Sequence, residues 1–228
     1  MLNKLLQWDQ EFFLLLNGAG TETFDSFWVF VSSTKSALPL FLFIVFLLII
    51  KHGKSFWQGL ILILIVVSLA DLISVHAFKN VFMRLRPCHE PELIYQIRLL
   101  VSKGGLYGFV SSHAVNFFAL AAIVSTILSE RKSLRQLCLM LKKLIIGLEE
   151  KRGLGSLLFG IIVLMLDIAF FILPYILYSW ATLVAYSRIY VGKHYPLDVI
   201  CGAILGILIA KIVWCLILKI KEKYKLAL

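Results

Sequence analysis

The sequence predicts an all-α fold: a polytopic membrane helical bundle of about five transmembrane helices, preceded by an N-terminal helix in the membrane interface. Hydrophobic residues make up 61% of the 228-residue chain and mean hydropathy is +0.92, against about 45–50% apolar in soluble domains. That excess is gathered into long blocks, the pattern of a chain that crosses a bilayer several times. The net charge of +10 sits in the connections beside those blocks, where the positive-inside bias and anionic headgroups favour it. The same placement argues against nucleic acid as a partner. The length gives a single domain, 1–228, with no room for a separate soluble one.

The elements follow in order. In residues 1–18, MLNKLLQWDQEFFLLLNG, the positions Leu5, Leu6, Trp8, Phe12, Phe13 and Leu16 form a broad helical stripe. Asp9, Gln10 and Glu11 interrupt what would be the apolar core of a signal peptide, so the segment is expected to lie in the interface. The first spanning run ends with ALPLFLFIVFLLII, residues 37–50, and extends upstream through FWVFVSS around a bend near Lys35. Pro39 falls where a helix's first turn tolerates it. KHGK, residues 51–54, makes a basic turn, and a second run covers 56–78. A polar stretch, 79–110, is expected to be a loop with helix at its start. The third run goes from Ser111 to near Ser129. Residues 130–155 are a basic insert in which Leu134, Leu137, Leu141, Leu144, Ile145 and Leu148 recur at helical spacing. Arg131, Arg135, Lys142 and Lys143 lie on or near the other face, so a second interfacial helix is expected there. The fourth run, 157–186, exceeds the roughly 20 residues a span requires and is expected to tilt, bend at Pro174 or project beyond the bilayer. The fifth covers 197–218, and KIKEKYK follows. Segments 51–54, 130–153 and 219–225 hold thirteen Lys and Arg on one side, which is then cytoplasmic. The stretches 79–110 and 187–195 share the opposite face with the N-terminal helix.

That topology brings three polar islands to the outer helix ends. In KNVFMRLRP, Lys79 and Arg86 are spaced to share one helix face about 10 Å apart, with Pro87 ending the helix. In VSSHAVN, Ser111 is a candidate N-cap and His113 stands in the first turn, where free N–H groups attract anions. In SRIYVGKHYPLD, Arg188 ends one helix and Pro196 opens the next. Asp198 then sits near the positive end of a helix dipole, within reach of His194. Lys79, Arg86 and Arg188 with a helix N-terminus make a cage for a phosphate. Two histidines offer a nucleophile and an acid, and the carboxylate can fix an imidazole's tautomer. Unaided phosphate-monoester hydrolysis needs acceleration of up to about 10²¹-fold, and a covalent phosphohistidine divides that barrier into two steps.

These residues resemble the signature of the type 2 phosphatidic acid phosphatase superfamily, membrane lipid phosphatases related to vanadium haloperoxidases. The signature is Lys, six residues, Arg-Pro; then Pro-Ser-Gly-His; then Ser-Arg, five residues, His, three residues, Asp. Lys79…Arg86-Pro87 and Ser187-Arg188…His194…Asp198 are complete. The middle part reads Val110-Ser111-Ser112-His113, with Pro and Gly replaced. The basic insert accounts for a long interval between His113 and Ser187. The resemblance implies that His194 attacks phosphorus, Asp198 orients it, and His113 protonates the leaving oxygen. Lys79, Arg86, Arg188, Ser111 and the Ser112 amide would hold the phosphoryl oxygens. It implies no cofactor and no metal. The partners it implies are a lipid phosphate or diphosphate substrate and the bilayer holding its tail. The setting would be a bacterial cytoplasmic (inner) membrane, with the site facing the periplasm or exterior. Undecaprenyl diphosphate is the first substrate expected. Phosphatidylglycerophosphate, phosphatidate and lipid A phosphate are alternatives, as are lipid phosphotransfer and a non-catalytic lipid-phosphate binder or transporter.

The remaining polar residues carry weaker expectations. Asp71 is expected to play a structural role near Lys79, although an intramembrane carboxylate is a functional candidate by default. Asp167 is placed toward the cytoplasmic end of the fourth run. Arg84 lies off the Lys79 face, a candidate for the substrate headgroup only. His52, His76 and His89 belong to loops or interfaces, and Tyr190 and Tyr195 to the pocket wall or an aromatic belt. Cys88, Cys138, Cys201 and Cys215 have no metal-ligand or disulfide spacing.

Overall fold

The computed structural model describes residues 1–129 and 154–224. Seven helices carry the fold among them: α1 (Leu2–Gly18), α2 (Glu22–Ser32), α3 (Ala37–His52), α4 (Phe56–Ile73), α5 (Ser112–Ser129), α6 (Leu154–Tyr190) and α7 (Pro196–Tyr224). Four stretches are long and apolar enough to cross a membrane: Thr34–Phe82, Ser112–Ser129, Ile168–Tyr190 and Pro196–Tyr224. The first contains both α3 and α4, two legs joined by a turn at Gly53, whose φ of +53° suits a residue without Cβ. The legs pack closely, since a Cβ on Gly59 would lie 3.1 Å from Leu48 Cδ2. The expected bend near Lys35 is a 3-10 turn, Thr34–Ser36, and Pro39 stands in the first turn of α3. Apart from residues 154 and 155, the expected interfacial helix of the basic insert lies outside the described residues, as does the side chain of Asp167.

Helix α5 is the axis of the bundle. Its Ala114, Val115, Ala119, Ala121, Ala122, Ile123, Val124, Ile127 and Leu128 are all buried, with α4, α6 and α7 packed around them. Small residues let α7 approach it: a Cβ at Gly202 would come within 2.9 Å of the Ser111 carbonyl oxygen, and one at Gly206 within 2.9 Å of the Ala119 nitrogen. This Gly-x-x-x-Gly spacing is a recurrent device for close helix contact in membranes, and the composition-based reading missed it. At the far end of α5, the buried Lys51 Nζ donates to the carbonyls of Ile127, at 3.0 Å, and Leu128, satisfying last-turn acceptors. The basic 51–54 turn and the first turn of α5 therefore lie at opposite ends of a helix about 27 Å long.

Helix α1 packs differently from a simple interfacial helix. Asp9, Phe13 and Asn17, spaced by four, form its buried face, whereas Leu5, Trp8, Phe12 and Leu15 are exposed. Asn17 Nδ2 donates to the carbonyls of Tyr190, Ile189 and Arg98 at 2.7, 3.2 and 3.1 Å, and its Oδ1 accepts from the Arg98 N–H at 2.7 Å. Two polar residues, Asp9 and Asn17, thus face protein together with Phe13, while four large apolar side chains face outward beside Lys4, Gln7 and Glu11.

The region after α4 corrects one expectation. The helix widens into a π-turn over Ser74–Lys79 and ends at Phe82, because Met83 adopts a left-handed conformation at φ 46°. Residues 84–86 then run extended beside 106–108: the Arg86 N–H donates to the Leu106 carbonyl at 3.1 Å and the Gly108 N–H to the Arg84 carbonyl at 2.8 Å. Lys79 and Arg86 therefore do not share a helix face, and Pro87 does not end the helix.

Substituting Gly206→Leu is expected to force α5 and α7 apart. Overpacking costs typically about 1–3 kcal/mol, so the Tm of detergent-purified protein should fall by several degrees. Gly18→Ala, where a Cβ meets nothing within 4 Å, should leave the Tm unchanged or slightly raised.

Candidate active site

The three polar islands converge at the N-terminal end of α5. Lys79 closes the π-turn, and its Nζ donates to Ser112 Oγ at 2.5 Å; Ser112 Oγ lies 2.8 Å from Ser74 Oγ. The serine at the position of the family's Gly thus holds the first cation by its side chain, a contact that the spacing alone did not show. Arg86 is fixed by its Nε donating to the Tyr107 carbonyl at 3.0 Å. Gly108 keeps the loop thin: a Cβ there would stand 3.1 Å from both Arg86 Cγ and Asp198 Oδ2. Arg188 donates from Nη1 to the Ser32 carbonyl at 3.1 Å and to Ser32 Oγ.

The end of α6 fixes His194 relative to Arg188. The Arg188 carbonyl accepts from the N–H groups of Lys193 at 2.9 Å and His194 at 3.2 Å. Gly192, at φ +81°, makes this turn in a left-handed conformation, and a Cβ on it would press within 2.8 Å of the Arg98 carbonyl oxygen. Asp198 is the third residue of α7, and its Oδ2 accepts from the Tyr195 N–H at 3.1 Å. That is the acidic half of a capping box. The same Oδ2 lies 3.4 Å from His194 Nδ1, adjacent but not aligned as a hydrogen bond. Such contacts commonly tighten when substrate binds. With Nδ1 turned toward the carboxylate, Nε2 is the ring nitrogen left to react.

Electrostatics tie the cluster together. Burial, reinforced by the charges of Arg86, Arg188, Lys79 and Lys193, holds the His194 imidazole well below its usual pKa. The ring is therefore unprotonated at neutral pH, with a free lone pair, inside a ring of cations. His113, in the first turn of α5, lies within the fields of Arg188, His194, Lys79 and Arg86. Ser111 stands at the N-cap; its N–H donates to the Asp198 carbonyl at 2.9 Å. Its Oγ and Arg188 Nε are buried with no hydrogen-bond partner in the protein. Buried polar atoms are ordinarily satisfied, and two orphans beside three cations make an anion site. Every residue the sequence singled out for the cage and the catalytic group is in this cluster.

Several neighbours escaped the sequence reading. Arg84 does not face a headgroup: its Nη1 donates to Asp198 Oδ1 at 2.9 Å and its Nη2 to Asp9 Oδ2 at 2.7 Å. Lys193 Nζ donates to the carbonyls of Ser102, at 2.7 Å, and Lys103, and burial with the nearby Arg86 charge brings its pKa down to about 8. Its position beside His194 was the only sequence signal. Asp71 takes Asn116 as hydrogen-bond partner, Nδ2 to Oδ1 at 3.1 Å, rather than Lys79. Tyr190 Oη joins Asp25 Oδ1 at 2.9 Å and the Thr21 carbonyl at 3.0 Å, and Tyr195 packs edge-on against Phe13.

A family model described as PAP2 superfamily matches residues 59–222. The chain is 25% identical over 224 residues to a lipid A 4'-phosphatase of Porphyromonas gingivalis, covering 96% of this chain and 77% of that protein. It is 26% identical over 209 residues to a lipid A 4'-phosphatase of Bacteroides thetaiotaomicron, covering 90% and 75%. Among solved structures, it resembles the first transmembrane PAP2-type phosphatidylglycerolphosphate phosphatase from Bacillus subtilis, with a TM-score of 0.65 at 19% identity over 96% of this chain and 89% of that one.

The depressed His194 pKa has a stability signature. Below the unfolded value of about 6.5, the unfolded chain takes a proton that the folded one refuses, so stability is full above that pH and is lost as pH falls. The Tm of wild-type protein should therefore drop more steeply between about pH 6.5 and 4.5 than that of His194→Asn; parallel curves would contradict this environment for the ring.

Proposed function

The chain belongs to the PAP2 superfamily, and on that premise we propose that it removes a phosphate monoester from a lipid A-type glycolipid through a phosphohistidine intermediate. Membership makes it a membrane lipid phosphatase, a hydrolase of lipid phosphates. The finer reading is supported above all by one observation: three cations surround a buried, unprotonated His194 ring.

His194 Nε2 attacks phosphorus, forming the N–P bond as the P–O bond to the lipid breaks. With the negative charge of the bound phosphate beside it to favour its protonated form, His113 gives a proton to the departing alkoxide oxygen. Water then attacks phosphorus, His113 takes its proton, the N–P bond breaks and inorganic phosphate leaves. Lys79, Arg86, Arg188, Ser111 Oγ and the Ser112 N–H hold the non-bridging oxygens, where charge accumulates as the phosphoryl group transfers. Asp198 steadies the His194 ring and balances the positive charge that develops on it. No step calls for a metal.

Undecaprenyl diphosphate, the first expectation, rested on family analogy alone. The two relatives that align over nine-tenths or more of this chain are both lipid A 4'-phosphatases, which moves the preference to a lipid A-type monophosphate. The whole chain, 1–228, acts as one membrane-embedded domain. The site lies at the opposite end of α5 from the basic 51–54 turn, which by the positive-inside bias orients it to the outer face of a bacterial cytoplasmic membrane.

Detergent-purified protein, assayed with EDTA present, should release inorganic phosphate from lipid A faster than from undecaprenyl diphosphate, phosphatidylglycerophosphate or phosphatidate. His194→Ala should abolish turnover, and His113→Ala should lower it about 10²–10⁴-fold, the usual share of a general acid. Orthovanadate should inhibit. Full activity in His194→Ala would remove the covalent mechanism, and preference for the diphosphate would restore the polyprenyl substrate.

A further inference from the structure

Asp198 has two oxygens, and only one of them faces His194. The other, Oδ1, accepts from Arg84 Nη1 at 2.9 Å. Arg84 Nη2 in turn donates to Asp9 Oδ2 at 2.7 Å, and Asp9 Oδ1 accepts from the Leu197 N–H at 2.9 Å. Asp9 therefore caps the first turn of α7 from outside while clamping the arginine. The guanidinium carbon also lies 4.0 Å from the centre of the Tyr195 ring, which fixes its plane. That ring is held by Phe13 of α1, at 5.4 Å between centroids. Asp198 and Asp9 are 0% and 5% exposed. A carboxylate that dry keeps its orientation only through its partners, and its partners here are one arginine and one N–H.

We propose that Arg84 and Asp9 are positioning residues for the hydrolase: the chain Asp9–Arg84–Asp198 sets the angle of the carboxylate that orients His194, so α1 is part of the catalytic apparatus. This rests on the reading of His194 as nucleophile and adds two residues that the signature motifs do not assign. Arg84 is held between two buried carboxylates, Asp198 and Asp9, which offset its charge and fix its direction, so its part here is to hold Asp198. Its effect should therefore fall on turnover and leave phosphate affinity alone.

The test compares Arg84→Met, Arg84→Ala and Asp9→Asn with wild type, using Glu11→Gln, on the exposed face of α1, as an unaffected control. Four quantities are read: kcat and KM for the lipid phosphate, the inhibition constant of inorganic phosphate, and the 15N shift of His194 Nδ1. Outer partners of catalytic groups carry about 10–100-fold. Arg84→Met should lose that much kcat with KM and the phosphate constant within about threefold, the factor set here as the margin for unchanged affinity. Added guanidinium should restore part of the kcat of Arg84→Ala, and the His194 shift should move in all three variants. Unchanged kcat and an unmoved His194 shift, or a raised KM and phosphate constant with kcat kept, overturns the proposal. Should Arg84→Met fail to bind phosphate, Asp9→Asn decides, and unchanged kcat there overturns it. If wild-type protein hydrolyses no lipid phosphate, the functional reading fails separately; the His194 shift in the Arg84 variants still decides this one.

Discussion

Asp198 carries charge in a place with no access to water, and most of the structure around the N-terminal end of α5 can be understood as a response. An isolated buried carboxylate is unstable by several kcal/mol, so it must be met from several sides at once. The Tyr195 N–H meets it from its own helix cap, Arg84 from the extended strand after α4, and His194 from the turn after α6. Because these groups come from distant parts of the sequence, satisfying one carboxylate fixes the relative positions of three segments. The imidazole is left dry, unprotonated and surrounded by cations, which is the state a nucleophile at phosphorus requires.

The helix axis beneath the site makes that convergence possible. Gly202 and Gly206 let α7 lie against the backbone of α5, so the N-termini of the two helices stand side by side. The Ser111 N–H bonds directly to the Asp198 carbonyl. The phosphoryl cage and the histidine's carboxylate are thereby joined through main chain as well as through side chains. A cluster of three cations is self-repelling when empty, and hydrogen bonds to fixed partners keep it assembled: Lys79 is tied to the Ser112 hydroxyl, Arg86 to the Tyr107 carbonyl and Arg188 to the Ser32 carbonyl.

Much of this was legible from spacing. Hydrophobic blocks gave the spanning runs, and the intervals between Lys79 and Arg86, and from Arg188 through His194 to Asp198, named the reactive cluster. What spacing could not reveal depends on backbone conformation or on contacts between remote segments. The heptad interval from Lys79 to Arg86 suggested one helix face, but a left-handed Met83 breaks the helix and a pairing with 106–108 delivers Arg86 by another route. Asp9 and Asn17 look like the polar side of an amphipathic helix because periodicity records polarity and not its direction; their partners lie near residues 190 and 197. Arg84 looked peripheral for the same reason. Ser112 reads in the sequence only as a replacement of the family's Gly; in the fold its hydroxyl holds Lys79.

The embrace of α7 by α1 joins residues 188 positions apart. A ribosome delivers α1 to the membrane well before α7, so the contact between Asp9 and the first turn of α7 forms only after the intervening helices have been made. A nascent chain that has inserted only its early helices lacks both His194 and the carboxylate beside it. The polar cluster of this lipid phosphatase is therefore assembled only once its first and seventh helices have met.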